Sequence, residues 1–218
     1  MLLAIDTATR IAGLALYDQD GLHTEQMWCT VDNHTVELMP YLVHACDQAG
    51  LSPLALKAVG VSLGPGSFTG LRVGLSVAKG LALALGIPLL GVPTLDATAY
   101  AHSRETVPVC AVLQAGRGRL VVAFYQNVDG DWQRCSAYAL CNEDDLVASL
   151  KGPTLLCGEV NARLAGALRA AAPDKAIVAS PASAARRAGY LAELAWKRFV
   201  AGDQDDPVSL TPLYLQTA

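Results

Sequence analysis

Chemistry in this chain would have to come from a small set of residues. Asp6-Thr7-Ala8-Thr9 follows one short apolar run, and Gly64-Pro65-Gly66-Ser67-Phe68-Thr69-Gly70 follows another. A carboxylate at a strand end, with Thr7 and Thr9 beside it, can hold a metal–phosphate through water, as nucleotide-dependent phosphotransferases do. A turn-forming aspartate bonded to local backbone N–H groups is the simpler expectation for Asp6. The glycine-rich segment could offer backbone N–H groups and a helix N-terminus to an anion. It lacks the Lys-Ser/Thr pair of a P-loop. Its G-x-G-x-x-x-G spacing, Pro65, and the missing acid after the next strand at Gly91 set it apart from a dinucleotide fingerprint. A tight strand-to-helix connection capped by Ser67 is expected instead.

Other reactive types are dispersed. His23, His34, His44 and His102 form no H-x-x-x-H or H-E-x-x-H pattern, so no metal site is expected. Ser67 is not in a G-x-S-x-G elbow. The six cysteines contain no C-x-x-C pair and read as reduced, small core residues. Gln114-Ala115-Gly116-Arg117-Gly118 is a turn without an acid. Arg117 and Arg119 could meet an anion there, but exposed hairpin charge is the expectation.

A formal net charge of -4 over 218 residues leaves no basic field for a phosphate backbone, which argues against autonomous nucleic-acid binding. Only 17% of residues are charged, 52% are hydrophobic, and the mean hydropathy is +0.32. So few charges cover a globular surface poorly, which points to a partner. No charge-free apolar run approaches a membrane span, and Asp6 interrupts any signal peptide. A cytoplasmic protein is expected.

The elements that position these residues are legible. Met1–Ile5, Ile11–Tyr17 and Leu22–Val31 read as an antiparallel meander, then a helix runs over 33–49 with Pro40 awkwardly inside it. A strand at 58–63, a helix over 67–85, a short strand at 87–91 and a helix begun by Thr94 follow. Strands at 107–113, 120–127 and 132–140 open a second block. Beyond them come a helix at 143–150, a strand at 154–157, a helix at 161–171 and a strand at 176–178. A long last helix would have Ser180 as N-cap, Pro181 at its first position and Gly202 after its end. Three strands followed by alternating helices and strands occur twice. The pattern predicts an α/β protein of two related lobes, 1–104 and 105–218, the second carrying the terminal helix.

The helix over 67–85 is unusual. Gly66, Gly70, Gly74, Ala78, Ala82 and Gly86 recur every four residues, and Arg72 and Lys79 share a face with Ser76 between them. Each interior glycine costs about 0.5–1 kcal/mol against alanine, so another backbone should press on the stripe. Packing on the lobe's own sheet would satisfy this. With so few charges to cover the surface, an intermolecular helix interface is the expectation.

Ile5-Asp6-Thr7-Ala8-Thr9, His34 with Glu37-Leu38-Met39-Pro40, Gly64 to Arg72 and Gly74 to Leu81 together resemble the TsaB (YeaZ-type) family, subunits of the bacterial tRNA threonylcarbamoyladenosine system. The likeness is dense over 2–100 and looser after, where it rests on 107–127 and on Pro212-Leu213-Tyr214-Leu215. It implies an actin/Hsp70/sugar-kinase-like (ASKHA) fold and a non-catalytic part in modifying N6 of adenosine 37 in tRNA. The implied partners are the metal-bearing TsaD paralogue, whose H-x-x-x-H pair is absent here, the ATPase TsaE, and a second copy when alone. Contact with tRNA would be indirect. No tightly bound cofactor is implied; ATP or ADP with magnesium would belong to a lobe or subunit junction of the complex. The family interface implies contact residues His34, Leu38, Tyr41, Leu42, Phe68, Gly70, Leu71, Gly74, Leu75 and Ala78, while His34 and Glu37 could equally be caps. Gln114 stands where the family usually has Asp, and Gln216 where it has Arg; both weaken nucleotide binding. The alternative is a small ASKHA-type phosphotransferase using Asp6, Thr7 and Thr9 around ATP.

Overall fold

The computed structural model describes residues 1–30, 34–183 and 185–215, with side chains at all of these except His34 and Thr35. The chain forms two compact units, Met1–Thr94 with Arg187–Tyr214, and Leu95–Arg186 with Leu215.

In the first unit, β1 (Leu2–Asp6), β2 (Ile11–Asp18) and β3 (Gly21–Cys29) form the expected meander. Helix α1 (His34–Gln48) leads to β4 (Ala58–Gly64), and α2 (Phe68–Leu85) leads to β5 (Leu89–Pro93). The sheet order is β3-β2-β1-β4-β5, antiparallel on the meander side and parallel from β1 to β5. Strand β1 is buried on both faces, which is why it reads as an unbroken apolar run. Leu3, Ile5, Leu14, Leu16, Val59 and Val61 meet Leu38 and Leu42 of α1 and Leu75, Ala78 and Ala82 of α2 in one core. The α1 helix runs through Pro40, which lies on its exposed side.

The second unit repeats the plan. After α3 (Thr94–Tyr100), β6 (Val109–Gln114) and β7 (Leu120–Val128) pair antiparallel. The strand expected at 132–140 is divided into β8 (Asp131–Arg134) and β9 (Ala139–Cys141), both on β7. Between them the Ser136 hydroxyl accepts the Phe124 N–H at 2.9 Å, replacing one ladder bond. Helix α4 (Glu143–Ser149), β10 (Thr154–Gly158), α5 (Ala162–Ala171) and β11 (Ala176–Val178) complete the order β11-β10-β6-β7-β8, with β10 parallel to both neighbours. The duplication inferred from element order is therefore a duplication of sheet topology. Of the cysteines, Cys46, Cys110 and Cys157 are buried as expected, and burial pushes the Cys157 thiol up to about 12. Cys29 and Cys135 are exposed instead.

The lobe boundary needs correction. The terminal helix α6 (Ala188–Val200) belongs to the first unit and packs across β1, β2, β4 and β5 on the face opposite α1 and α2. Its Ala195 lies so close to Gly60 that a Cβ there would stand 2.7 Å from the alanine methyl, and Ala188 approaches Gly13 similarly. Its start is also later than expected. The Ser180 hydroxyl accepts the Ser183 N–H at 3.2 Å in a local turn, and the helix begins at Ala188 without a side-chain cap of its own. Glu25 of β3 supplies that cap. One carboxylate oxygen accepts the Gly189 N–H at 2.7 Å, and the other takes Arg187 Nε at 2.8 Å and Nη2 at 2.6 Å. At the other end Arg198 bonds Asp203, Asp205 and the Gly91 carbonyl, while Asp205 accepts the Gly91 N–H at 2.6 Å, closing the free edge of β5. Replacing Glu25→Ala should lower stability by about 1–3 kcal/mol through the lost cap and unpaired Arg187; urea unfolding that leaves the midpoint unchanged would show that α6 is held by packing alone.

Candidate functional site

The Asp6 turn and the glycine-rich loop meet at the head of α2, and their polar groups are turned on each other. Asp6 is buried and accepts the Ala8 N–H at 3.0 Å, a local turn bond. Thr7 is fully buried; its N–H lies 3.4 Å from the Ser62 hydroxyl, and its own hydroxyl donates to the Gly70 carbonyl at 2.7 Å. The Ser67 N–H donates to the Ala8 carbonyl at 2.6 Å, and the Ser67 hydroxyl accepts the Gly70 N–H at 3.2 Å as the expected cap. Gly66 has no Cβ because the Ala8 carbonyl occupies that space. A phosphate cradle needs N–H groups aimed at open space; here Ser67 and Gly70 spend theirs inside the protein. The Thr7 hydroxyl is thus committed to an internal bond, and Asp6 makes a local turn bond. Thr9 is partly exposed and its hydroxyl lies 3.4 Å from the Ile11 carbonyl.

The same meeting decides which way α2 faces. A Cβ on Gly74 would run into the Thr7 hydroxyl, and Gly70, Leu71, Gly74, Leu75, Ala78 and Ala82 are all buried. The small-residue stripe packs against β1 and β4 of its own unit. Gly70, Leu71, Gly74, Leu75 and Ala78 are therefore core residues and not contact residues, as are Leu38 and Leu42 of α1. Tyr41 stays at the surface but stacks on Trp28 with centroids 4.2 Å apart, and the Trp28 indole donates to Glu37 at 3.0 Å, so both residues hold α1 to β3. Of the expected contact set, Phe68 is the most open, at 56% exposed; the His34 side chain lies outside the described residues. By length and composition α2 could cross a membrane, yet six of its residues are inside this unit.

What faces out is a different set. On α1, Val36 (72% exposed), Met39, Pro40 and Val43 (46% exposed) fall at i, i+3, i+4 and i+7 on one side. On α2, Phe68, Arg72, Ser76, Gly80 and Leu83 are exposed, flanked by half-buried Val73 and Val77, and Gly80 has open space at its Cβ. The two helices pack side by side, so together they present a largely apolar, small-residue face. Sequence reasoning missed it because the period of four that marks the inner stripe hides the outer one. The alternative apolar row 36/39/43 was the available signal.

A family model described as TsaD: tRNA N6-adenosine threonylcarbamoyltransferase matches residues 29–205, well over half of the chain. The chain belongs to this family. It is of TsaB (YeaZ) type within it: 33% identical over 129 residues to the tRNA threonylcarbamoyladenosine biosynthesis protein TsaB of Bacillus subtilis, and 34% over 134 residues to that of Escherichia coli. Those matches take in 59% and 60% of this chain, and span only a little over half of each relative, 56% and 58%. The solved YeaZ of Pseudomonas aeruginosa is 25% identical, covers 98% of this chain and 99% of its own, and superposes with a TM-score of 0.81. The fold is the two-sheet ASKHA type.

Two features of this TsaB-type chain follow from its geometry. The Gln114 turn is tied down: its N–H donates to Glu159 at 2.8 Å and its side-chain amide to the Glu159 carbonyl at 2.9 Å, leaving no carboxylate at 114 to hold a cation. The tail, noted in the sequence only as a motif, is a strap along α2. Lys79 reaches the Val208 carbonyl at 3.4 Å, Leu210 packs into the core, and the Leu213 N–H donates to the Leu63 carbonyl at 2.7 Å. Gly64, at φ +106°, lets the Leu213 carbonyl approach to where a Cβ would sit 2.8 Å away. Gln216 lies outside the described residues. The inward stripe makes a paired prediction. Gly74→Ala should destabilise by about 1–3 kcal/mol through overpacking, whereas Gly80→Ala should stabilise by about 0.5–1 kcal/mol through helix propensity. Equal effects in thermal melts would contradict the inward orientation.

Proposed function

We propose that this TsaB-type chain is a non-catalytic partner subunit in threonylcarbamoyladenosine formation at adenosine 37 of tRNA, acting in the cytoplasm. It docks a TsaD-type protein through the outer face of α1 and α2, a TsaE-type ATPase joins the pair, and tRNA is met only through the assembly. Alone, the chain covers the same face with a second copy. The observation that carries this reading is the exposed apolar row Val36, Met39, Pro40 and Val43 beside the open flank of α2. Apolar faces of this kind are interaction sites or liabilities, and one side of a standard interface needs roughly 800 Å². The names of its relatives supply the pathway.

The Asp6 turn favours this reading over a phosphotransferase, because Thr7 and the Ser67–Gly70 cap are committed to internal bonds. ATP or ADP with magnesium is a ligand of the assembled complex in this account, with no tightly held cofactor in the isolated subunit.

The test is sedimentation velocity of the chain alone and with the TsaD-type protein of its own organism, wild type beside Val43→Glu and Met39→Glu. Both variants should weaken pairing at least about tenfold while melting like the wild type, since both positions are exposed. Undiminished pairing in both would overturn the docking face. Magnesium-dependent ATP turnover by the isolated chain, lost in Asp6→Ala, would overturn the non-catalytic reading.

A further inference from the structure

The charged groups on α2 are not equivalent. The helix carries two cations, Arg72 and Lys79, and no acid. Lys79 is occupied with the backbone of the tail. Arg72 is held differently. Its guanidinium carbon lies 3.7 Å over the centroid of the Phe68 ring, and its Nε donates to the Tyr214 hydroxyl at 3.1 Å. The Phe68 and Tyr214 rings are themselves 5.4 Å apart. Tyr214 is fixed by the strap, because the neighbouring Leu213 is bonded to Leu63. The guanidinium plane is therefore defined by a ring beneath it and an acceptor at one edge, while its two terminal nitrogens have no acceptor among the described residues. An exposed arginine normally gives up side-chain entropy when it binds; this one has already been ordered.

We infer that Arg72, set by Phe68 and Tyr214, is the charged anchor of the docking face and takes a carboxylate of the partner protein in a two-pronged hydrogen bond. This rests on the docking role of α1 and α2 proposed above. Two observations choose the occupant. The free edge of a guanidinium matches the two oxygens of a carboxylate or phosphate. The surroundings then select protein. Phe68 is 56% exposed and Tyr214 44%, Val73 and Val77 continue the surface, and no second unoccupied cation on α2 stands beside Arg72. Nucleic-acid backbones are bound by several cations in a basic field, whereas this chain has a formal charge of -4. An aromatic pair around one arginine is the composition of a protein–protein hot spot. Tyr214 is a positioning residue in this arrangement, so the end of the chain takes part in recognition although it lies 142 residues from Arg72 in sequence.

The test measures affinity of the full chain for the TsaD-type protein of its own organism by titration calorimetry at several salt concentrations. Arg72→Ala and Arg72→Lys should each weaken pairing about tenfold or more, since a lysine neither stacks nor forks, and Arg72→Ala, which removes the charge, should also flatten the salt dependence. Tyr214→Phe should weaken it about threefold with the salt dependence retained, because the ring stays and only the fixing hydroxyl is lost. Melting temperatures should stay within a few degrees of wild type. Wild-type affinity in Arg72→Lys would overturn the fork, and wild-type affinity in Arg72→Ala would overturn the anchor altogether. Intact pairing with weakened tRNA binding by the complex would assign the group to a phosphate and overturn the inference. If the wild type itself fails to pair, the docking role falls first, a result distinguishable from failure of the anchor alone.

Discussion

The close approach of α2 to the turn after β1 is the constraint on which the rest of the first unit depends. Thr7 donates to the Gly70 carbonyl, and the Thr7 hydroxyl fills the space where Gly74 has no side chain. Helix and strand can come this near only where the helix is stripped to glycine. The approach fixes three things together. It holds the Thr7 hydroxyl and the Ser67–Gly70 groups in internal bonds, it rotates the small stripe of α2 inward, and it therefore turns Phe68, Arg72, Ser76 and Gly80 outward. A single steric fact thus sets which residues of α2 reach the surface.

That support is built from both ends of the chain. The α6 helix, which follows the second sheet in sequence, covers the first, held at its start by Glu25 and at its end by the Arg198 cluster. The tail that follows runs along α2 and ends with Tyr214 against Phe68. The face presented by α1 and α2 is consequently backed by the sheet and flanked by the strap. Pre-ordering of this kind lowers the entropy lost on association, which is what the proposed docking role requires.

Much of the architecture was legible because strands and helices leave different periods. The runs at 1–5, 11–17 and 58–63 and the helix expected over 33–49 lie where the elements stand, and the repeated order of elements gave the shared sheet topology. Direction was not legible. A residue row every four positions says that a helix has a face, but not whether glycine and alanine on it meet the protein's own backbone or a partner's. The destination of α6 was hidden for a related reason. Its apolar residues suit any sheet, and the long-range bonds from Glu25 to Arg187 and Gly189 have no local sequence signature. The Ser180-Pro181 pair mimics a helix start while making a serine turn. Arg72 was visible in the sequence only as one of two helix cations beside Lys79; its ring and hydroxyl partners meet only in the folded chain.

Hydroxyl-radical footprinting of the chain, alone and mixed with the TsaD-type protein of its own organism, tests the proposed docking face most directly. Met39 and Phe68 lie on the outward face of α1 and α2, while Met27 is exposed on β3 away from it. Pairing should protect Met39 and Phe68 from oxidation and leave Met27 as reactive as before. Protection confined to the second unit, with Met39 and Phe68 unchanged, would contradict it.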